Sequence, residues 1–293
     1  MANPWLDRRV IAYAHQGGAR EGPSSTLFAI GAALAAGATG VELDVHATAD
    51  GELVVCHDAT LDRTTSGRGM IAEQRLSDIE QLDAAYWFVS GEDACHGRLP
   101  VDYPLRGRAD AEPGLRVASL RAVLEAFPGV VLNLDIKQTA PRVRPYEATL
   151  ASLLQHYGRR DDVIVASFHD EATERFRTLA PEIGTSAGRR AVAAFALAQW
   201  SRRRPDRRLA RHVALQVPAH VRGVRLVTRR FVETAHELGL AVHVWTVDDP
   251  AEMERLVLAG VDGVMSDRPS ALAGVLRRLG TTWAGAPGLG RGP

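Results

Sequence analysis

Short apolar runs rich in β-branched residues recur along the chain, each followed by a segment of helical periodicity. VIAYAH (10–15) precedes STLFAIGAALAAG, VELDVHA (41–47) follows it, VVLNLDIK (130–137) precedes PYEATLASLLQHYG, and DVIVASF (162–168) precedes DEATERFRTLAPE. The rhythm continues with IGTSAG (183–188) before RRAVAAFALAQWSRR, then HVALQV (212–217) leading into VRLVT and the helix RRFVETAHELG. It closes with AVHVWTV (241–247) before DPAEMERLVLAG and DGVMSD (262–267) before PSALAGVLRRLG. Strands that are apolar almost throughout belong to a parallel sheet covered by helices. Some eight such units in 293 residues predict the α/β class and a TIM-type (β/α)8 barrel. The rival is an open doubly wound sheet, but no GxGxxG or P-loop follows any strand.

Residues 59–118 break the rhythm. They form a turn-rich insertion after the second strand region and carry Tyr86, Trp87 and Phe88, expected to be either the core of a lid or an apolar groove for a substrate chain. The expected organisation is one barrel domain over residues 1–280, with TTWAGAPGLGRGP (281–293) as a flexible tail.

Residues two apart on a strand share a face. Glu42 and Asp44 therefore pair in VELDV, and Asp135 and Lys137 in NLDIK. In a barrel the C-terminal strand ends converge on one mouth, which brings His15, Ser167 and Trp245 to the same rim. Three carboxylates without a cysteine companion suit a hard cation, Mg2+ or Ca2+, better than zinc. Lys137 is the only lysine among 35 basic residues. A compact ammonium fits beside a phosphate oxygen where the wide guanidinium fork does not. His15 and His57, each closing an apolar run, supply a proton acceptor and a proton donor.

Thirty-five basic residues against 35 acidic ones leave no global attraction to nucleic acid. The local exception is SRRRPDRRLAR (201–211), whose arginines from Arg202 to Arg211 form either a solvated helix end or a peripheral contact with an anionic membrane or partner. Cys56 and Cys95 make neither a disulfide framework nor a metal pattern and are expected to be free thiols. With no apolar leader at the N-terminus and no run long enough to span a bilayer, the expected compartment is the cytoplasm.

Together HQGG, VELDVHATADGELVVCHDATLDRTTSG, LDIK, VHVWTVDD and GVDGVMSDRP resemble the glycerophosphodiester phosphodiesterase family from about residue 10 to 272. The resemblance implies a barrel of the phosphatidylinositol-phospholipase-C type. It also implies one divalent cation (Mg2+ or Ca2+, with Mn2+ as a third choice) and hydrolysis of a small glycerophosphodiester to glycerol 3-phosphate and an alcohol. Carried over by motif, Glu42, Asp44 and Asp135 match metal ligands, His15 and His57 the catalytic pair, and Lys137 a phosphate contact. Gln16, Gly17 and Trp245 join Lys137 as expected substrate contacts.

Three departures stand out: Gln16 replaces the family's arginine, Ser24 and Ser25 replace a glutamate and an asparagine, and Asp135 is shorter than the usual glutamate. Arg20 and Arg63 are the candidates to restore the missing positive charge. Alternative readings are a lysophospholipase D-like activity on lysophospholipids, a silent phosphodiester-binding barrel, and a lipid-transfer chemistry. The sequence assigns no oligomeric state.

Overall fold

A computed structural model describes residues 3–139, 142–201 and 203–281. Eight parallel strands form the barrel: β1 (Ile11–His15), β2 (Gly40–Ala47), β3 (Val131–Ile136), β4 (Val163–Ala166), β5 (Gly184–Thr185), β6 (Ala214–Pro218), β7 (Ala241–Trp245) and β8 (Gly263–Ser266). Neighbours follow chain order, with β1 between β2 and β8. Closure between β5 and β6 rests on a parallel bridge, Ser186 to Ala214, reinforced by Val213 N–H donating to Thr185 O (2.9 Å) and Ala187 N–H to Ala214 O (2.9 Å). The expected run IGTSAG shortens here to two residues of regular strand.

Eight helices cover the outside: α1 (Leu27–Ala36), α2 (Leu120–Ala126), α3 (Glu147–His156), α4 (Asp170–Leu179), α5 (Arg189–Trp200), α6 (Arg229–Glu237), α7 (Pro250–Ala259) and α8 (Pro269–Leu279). Alternation explains the packing. On β2, Val41, Leu43 and Val45 point outward into the layer shared with Leu120, Leu150 and Phe176, so Glu42, Asp44 and His46 face the barrel axis. VRLVT gives no barrel strand; it ends a small hairpin, His220–Val221 against Val224–Arg225.

The insertion has its own small core of Val54, Cys56, Leu61, Ile71, Ile79 and Val117. Trp87 stacks on His96 (4.1 Å between centroids), and Arg106 lies over Tyr86, Trp87 and Tyr103. Tyr86 and Trp87 thus pack within the insertion itself, and none of the trio lines the cavity at the barrel mouth. Of the expected tail, residues 282–293 lie outside the described residues, as does Arg202.

The bottom of the barrel is plugged by Tyr13, His243 and Trp5. Gly40 and Gly263 make room: a Cβ on either would stand 2.9 Å from the Tyr13 ring. His243 is fully buried with neither ring nitrogen partnered. Burial pushes its imidazole down to about 4, and the Asp262 charge offsets only part of that. Since an unfolded histidine titrates near ~6.5, the unfolded chain takes up a proton below that pH which the folded chain refuses. Stability present at neutral pH is therefore lost as pH falls from ~6.5 toward ~4, by roughly 3 kcal/mol. Denaturant midpoints at pH 7, 5.5 and 4 should show this loss in the native chain and a flatter profile in His243→Phe. Parallel profiles would assign the acid sensitivity elsewhere.

Candidate active site

Register builds the site. β1 pairs with β2 so that His15 stands opposite Glu42, and β2 pairs with β3 so that Glu42 meets Asn133 and Asp44 meets Asp135. Three adjacent strands thereby place one histidine and three carboxylates at the same end of the barrel. His57 arrives through the antiparallel strand Leu53–Val55 beside β2, where Cys56 N–H donates to Asp44 O at 3.0 Å. All of these except Cys56 line one cavity of about 620 Å3, together with Lys137, Ser167, Gln216 and Trp245.

Each catalytic-type histidine is held from behind. His15 Nδ1 donates to Asp267 Oδ1 at 2.6 Å, leaving Nε2 3.7 Å from Glu42 Oε2. His57 Nδ1 donates to Asp58 Oδ1 at 2.6 Å, and Arg63 Nε donates to Asp58 Oδ2 at 2.6 Å. The His57 hydrogen bond, then Arg63, keeps the Asp58 carboxyl well below the usual carboxylate range. His46, inward on β2, bridges Gln138 Oε1 (3.3 Å) and the His57 carbonyl (3.4 Å), anchoring the loop that carries His57. Burial alone would push the His15 imidazole down. Glu42 and Asp267 overcome that and raise it to about 9.

Lys137 is the cation of the carboxylate cluster, with Nζ 3.1 Å from Asp44 Oδ1 and 3.7 Å from Asp135 Oδ2. Burial pushes the Asp44 carboxyl up to about 8, with Glu42 adding to the rise and Lys137 opposing it. Glu42 and Asp135 are likewise raised by burial, against His15 and Lys137 respectively. Asp44 Oδ2 is buried without a partner. The ammonium sits between Asp44 and Asp135, and among the described residues no three His, Cys, Asp or Glu side chains stand in metal-ligating arrangement.

The phosphate-side expectations fare differently. Gln16 and Gly17 do not line the cavity. Gln16 is buried in left-handed backbone (φ 51°), its N–H donates to Glu42 Oε2 at 3.2 Å, and its side-chain oxygen has no partner. It thus positions Glu42 through the backbone. Ser25, also left-handed (φ 60°), donates its N–H to Gln16 O at 2.7 Å and leaves its hydroxyl buried and unpartnered. Neither arginine supplies the missing charge: Arg20 pairs with Asp248 at 3.4 Å, and Arg63 is spent on Asp58 and Asp93.

Sequence reasoning missed Asp267, Asp58, His46, Asn133 and Gln216. Asn133 was within reach, since it lies two residues before Asp135 on the inward face, where Gln216 Nε2 donates to its side-chain oxygen. It also missed the cavity's apolar wall. Val192, Ala193, Ala196, Leu197 and Trp200 form one apolar stripe of α5 at helical spacing, with Arg189 at its start, facing Phe168, Val221, Leu226 and Trp245. Phe168 meets Trp245 edge to face at 5.6 Å.

Comparison with known proteins agrees with this architecture. The model of the glycerophosphoryl diester phosphodiesterase family matches residues 15–271. A glycerophosphodiester phosphodiesterase of Caldanaerobacter subterraneus is 29% identical over 275 residues, spanning 93% of this chain and 100% of that one. One from Bacillus subtilis is 30% identical over 268 residues, spanning 89% and 84%. The solved glycerophosphodiester phosphodiesterase of Agrobacterium tumefaciens superposes with a TM-score of 0.66 at 26% identity, covering 90% of this chain and 99% of that one. An Oleispira antarctica phosphodiesterase, solved with the product sn-glycerol-3-phosphate, superposes with a TM-score of 0.69 over 93% and 99% of the two chains. At 22% identity that likeness is one of fold.

Proposed function

The chain belongs to the glycerophosphoryl diester phosphodiesterase family, and from that premise we propose that it hydrolyses glycerophosphodiesters to glycerol 3-phosphate and an alcohol. One observation carries the reading: two imidazoles, each fixed through Nδ1 by its own carboxylate, flank a buried cluster of three carboxylates and one lysine at the floor of an open cavity. One Nε2 takes the proton of the attacking hydroxyl, from water or the substrate's own glycerol, while the other returns a proton to the departing alkoxide. Lys137 meets a non-bridging phosphate oxygen and offsets the negative charge that builds on it. Trp245 and Phe168, in edge-to-face contact, form one side of the cavity.

A divalent cation fits the donor chemistry present. Glu42, Asp44 and Asp135 are all oxygen donors and all buried, among the described residues Lys137 and the histidines oppose their charge, and Asp44 Oδ2 has no partner. When bound, such a cation polarises phosphorus and lowers the nucleophile's pKa. Mg2+, Ca2+ and Mn2+ are the ions this set suits.

A second reading, turnover of lysophospholipids, is favoured by the apolar stripe of α5, which a small polar head group does not need. Glycerol 3-phosphate release from glycerophosphocholine, glycerophosphoethanolamine and glycerophosphoglycerol, and lysophosphatidate release from lysophosphatidylcholine, should be measured with each cation and with chelator. Chelator-sensitive glycerol 3-phosphate is the expected product. Saturable binding of these substrates without any turnover would replace the hydrolase with a silent phosphodiester-binding barrel.

A further inference from the structure

Helix α5 has the composition of a core helix and the placement of a surface one. Nine of its twelve residues are alanine, valine, leucine, phenylalanine or tryptophan, yet only Phe195 is buried among them. Leu197 and Trp200 are each 63% exposed. Across the cavity mouth stand Phe168 and the hairpin pair Val221 and Val224, also exposed. Four of the nine exposed large hydrophobics among the described residues therefore line this one opening, and a fifth, Val224, pairs with Val221 on the hairpin beside it. Single exposed apolar residues need no explanation, but a contiguous patch of them marks an interaction surface.

Charge says what the surface meets. Residues 189–225 carry ten arginines and a single carboxylate, Asp206, in a chain whose net charge is zero. The described arginines of that stretch are all solvent-exposed; Arg190 and Arg211 also pair with Asp170, Glu171 and Glu174 of α4, and Asp206 is occupied in capping the short helix Arg207–Arg211. Guanidinium groups around a tryptophan-bearing apolar patch match a surface that is anionic outside and apolar a few ångströms further in. An anionic phospholipid interface has that profile, whereas a nucleic acid offers charge without an apolar layer.

We propose that α5, the arginine-rich turn at 203–211 and the hairpin His220–Arg225 dock on an anionic phospholipid bilayer, so that the catalytic cavity opens into the membrane interface. Trp200 and Leu197 enter the headgroup boundary, the arginines engage lipid phosphates, and substrate diffuses in along the α5 stripe. Among the described residues no helix is long and apolar enough to cross a membrane, so this attachment is peripheral.

Vesicle binding tests the proposal without reference to turnover, so its failure is distinct from failure of the hydrolase reading. The full chain is sedimented with vesicles of phosphatidylglycerol and phosphatidylcholine, and with vesicles of phosphatidylcholine alone. Expected are binding to the anionic vesicles only, weakening with added salt, and quenching of Trp200 fluorescence by lipids brominated in the upper acyl chain, lost in Trp200→Phe. Arg207→Glu with Arg208→Glu reverses two exposed charges that do not line the cavity. It should lower partitioning on the order of 100-fold and leave turnover of water-soluble glycerophosphocholine unchanged. Val224→Asp should act in the same direction. Undiminished binding by both variants would overturn the proposed face. So would absence of vesicle binding, whether accompanied by self-association that Val224→Asp abolishes or by tight binding of a single-stranded oligonucleotide.

Discussion

Replacing His15 by alanine is expected to lower kcat on glycerophosphocholine by about 10^3-fold with little change in KM, because the imidazole contributes to proton transfer more than to binding. The environment of the ring assigns its task. Nδ1 is committed to Asp267 at 2.6 Å and Nε2 stands 3.7 Å from Glu42, so two carboxylates stabilise the imidazolium, which carries a proton to give. His57 has one such partner, Asp58, and that carboxylate is shared with Arg63. His15 is accordingly the better donor to the leaving alkoxide, and leaving-group chemistry reads this directly. With a nitrophenyl ester of glycerophosphate the departing oxygen needs no proton, so His15→Ala should recover most of its lost rate, whereas His57→Ala should stay slow on both substrates. Recovery in His57→Ala alone would exchange the two roles. Asp267→Asn, which keeps the ring but loosens its orientation, should cost about 10- to 100-fold on the choline ester.

The contrast between those histidines and the rest of the site shows what a linear pattern can and cannot carry. Glu42 and Asp44 were legible because period two places them on one face, and the parallel register β1–β2–β3 turns strand neighbours into site neighbours. The barrel was legible because eight apolar runs alternate with helical ones. Asp267 and Asp58 were quoted within motifs, yet nothing in spacing reveals that each reaches back to a histidine, and in the case of His15 that partner lies 252 residues away. The α5 wall was hidden for a different reason. An alanine-rich apolar helix reads the same whether its stripe faces a core or a cavity, and only the burial of Phe195 alone separates the two. Gln16 marks the reverse case. Its motif position suggested a phosphate contact, but the left-handed turn points its N–H at Glu42, and its side chain is buried and does not line the cavity.

The lone lysine yields the other large effect. Lys137→Met removes the one cation among the described residues within 4 Å of both Asp44 and Asp135, leaving a buried cluster of like charges opposed, among those residues, by the histidines. Truncating one partner of a buried ion pair costs about 3–5 kcal/mol. Here the cost is limited by protonation of Asp44, whose carboxyl burial already raises to about 8, so thermal stability should fall more at alkaline pH than at neutral pH. The sign follows from linkage: in the folded variant Asp44 holds a proton that the unfolded chain has released, so stability is lost as pH rises through the folded pKa. Turnover should drop by about 10^2 to 10^3, the loss of one charged contact to the transition state. Lys137→Arg separates charge from shape. It restores the positive charge and with it most of the melting temperature, but the planar fork cannot take the place of a point charge 3.1 Å from Asp44 and still leave room for a phosphate oxygen. The arginine variant is therefore expected to be folded, close to native in stability, and slow. Melting curves at pH 7 and pH 9 beside initial rates would decide it. A fast Lys137→Arg enzyme would mean that position 137 requires only charge, and that its escape from the arginine bias of the chain has no catalytic cause.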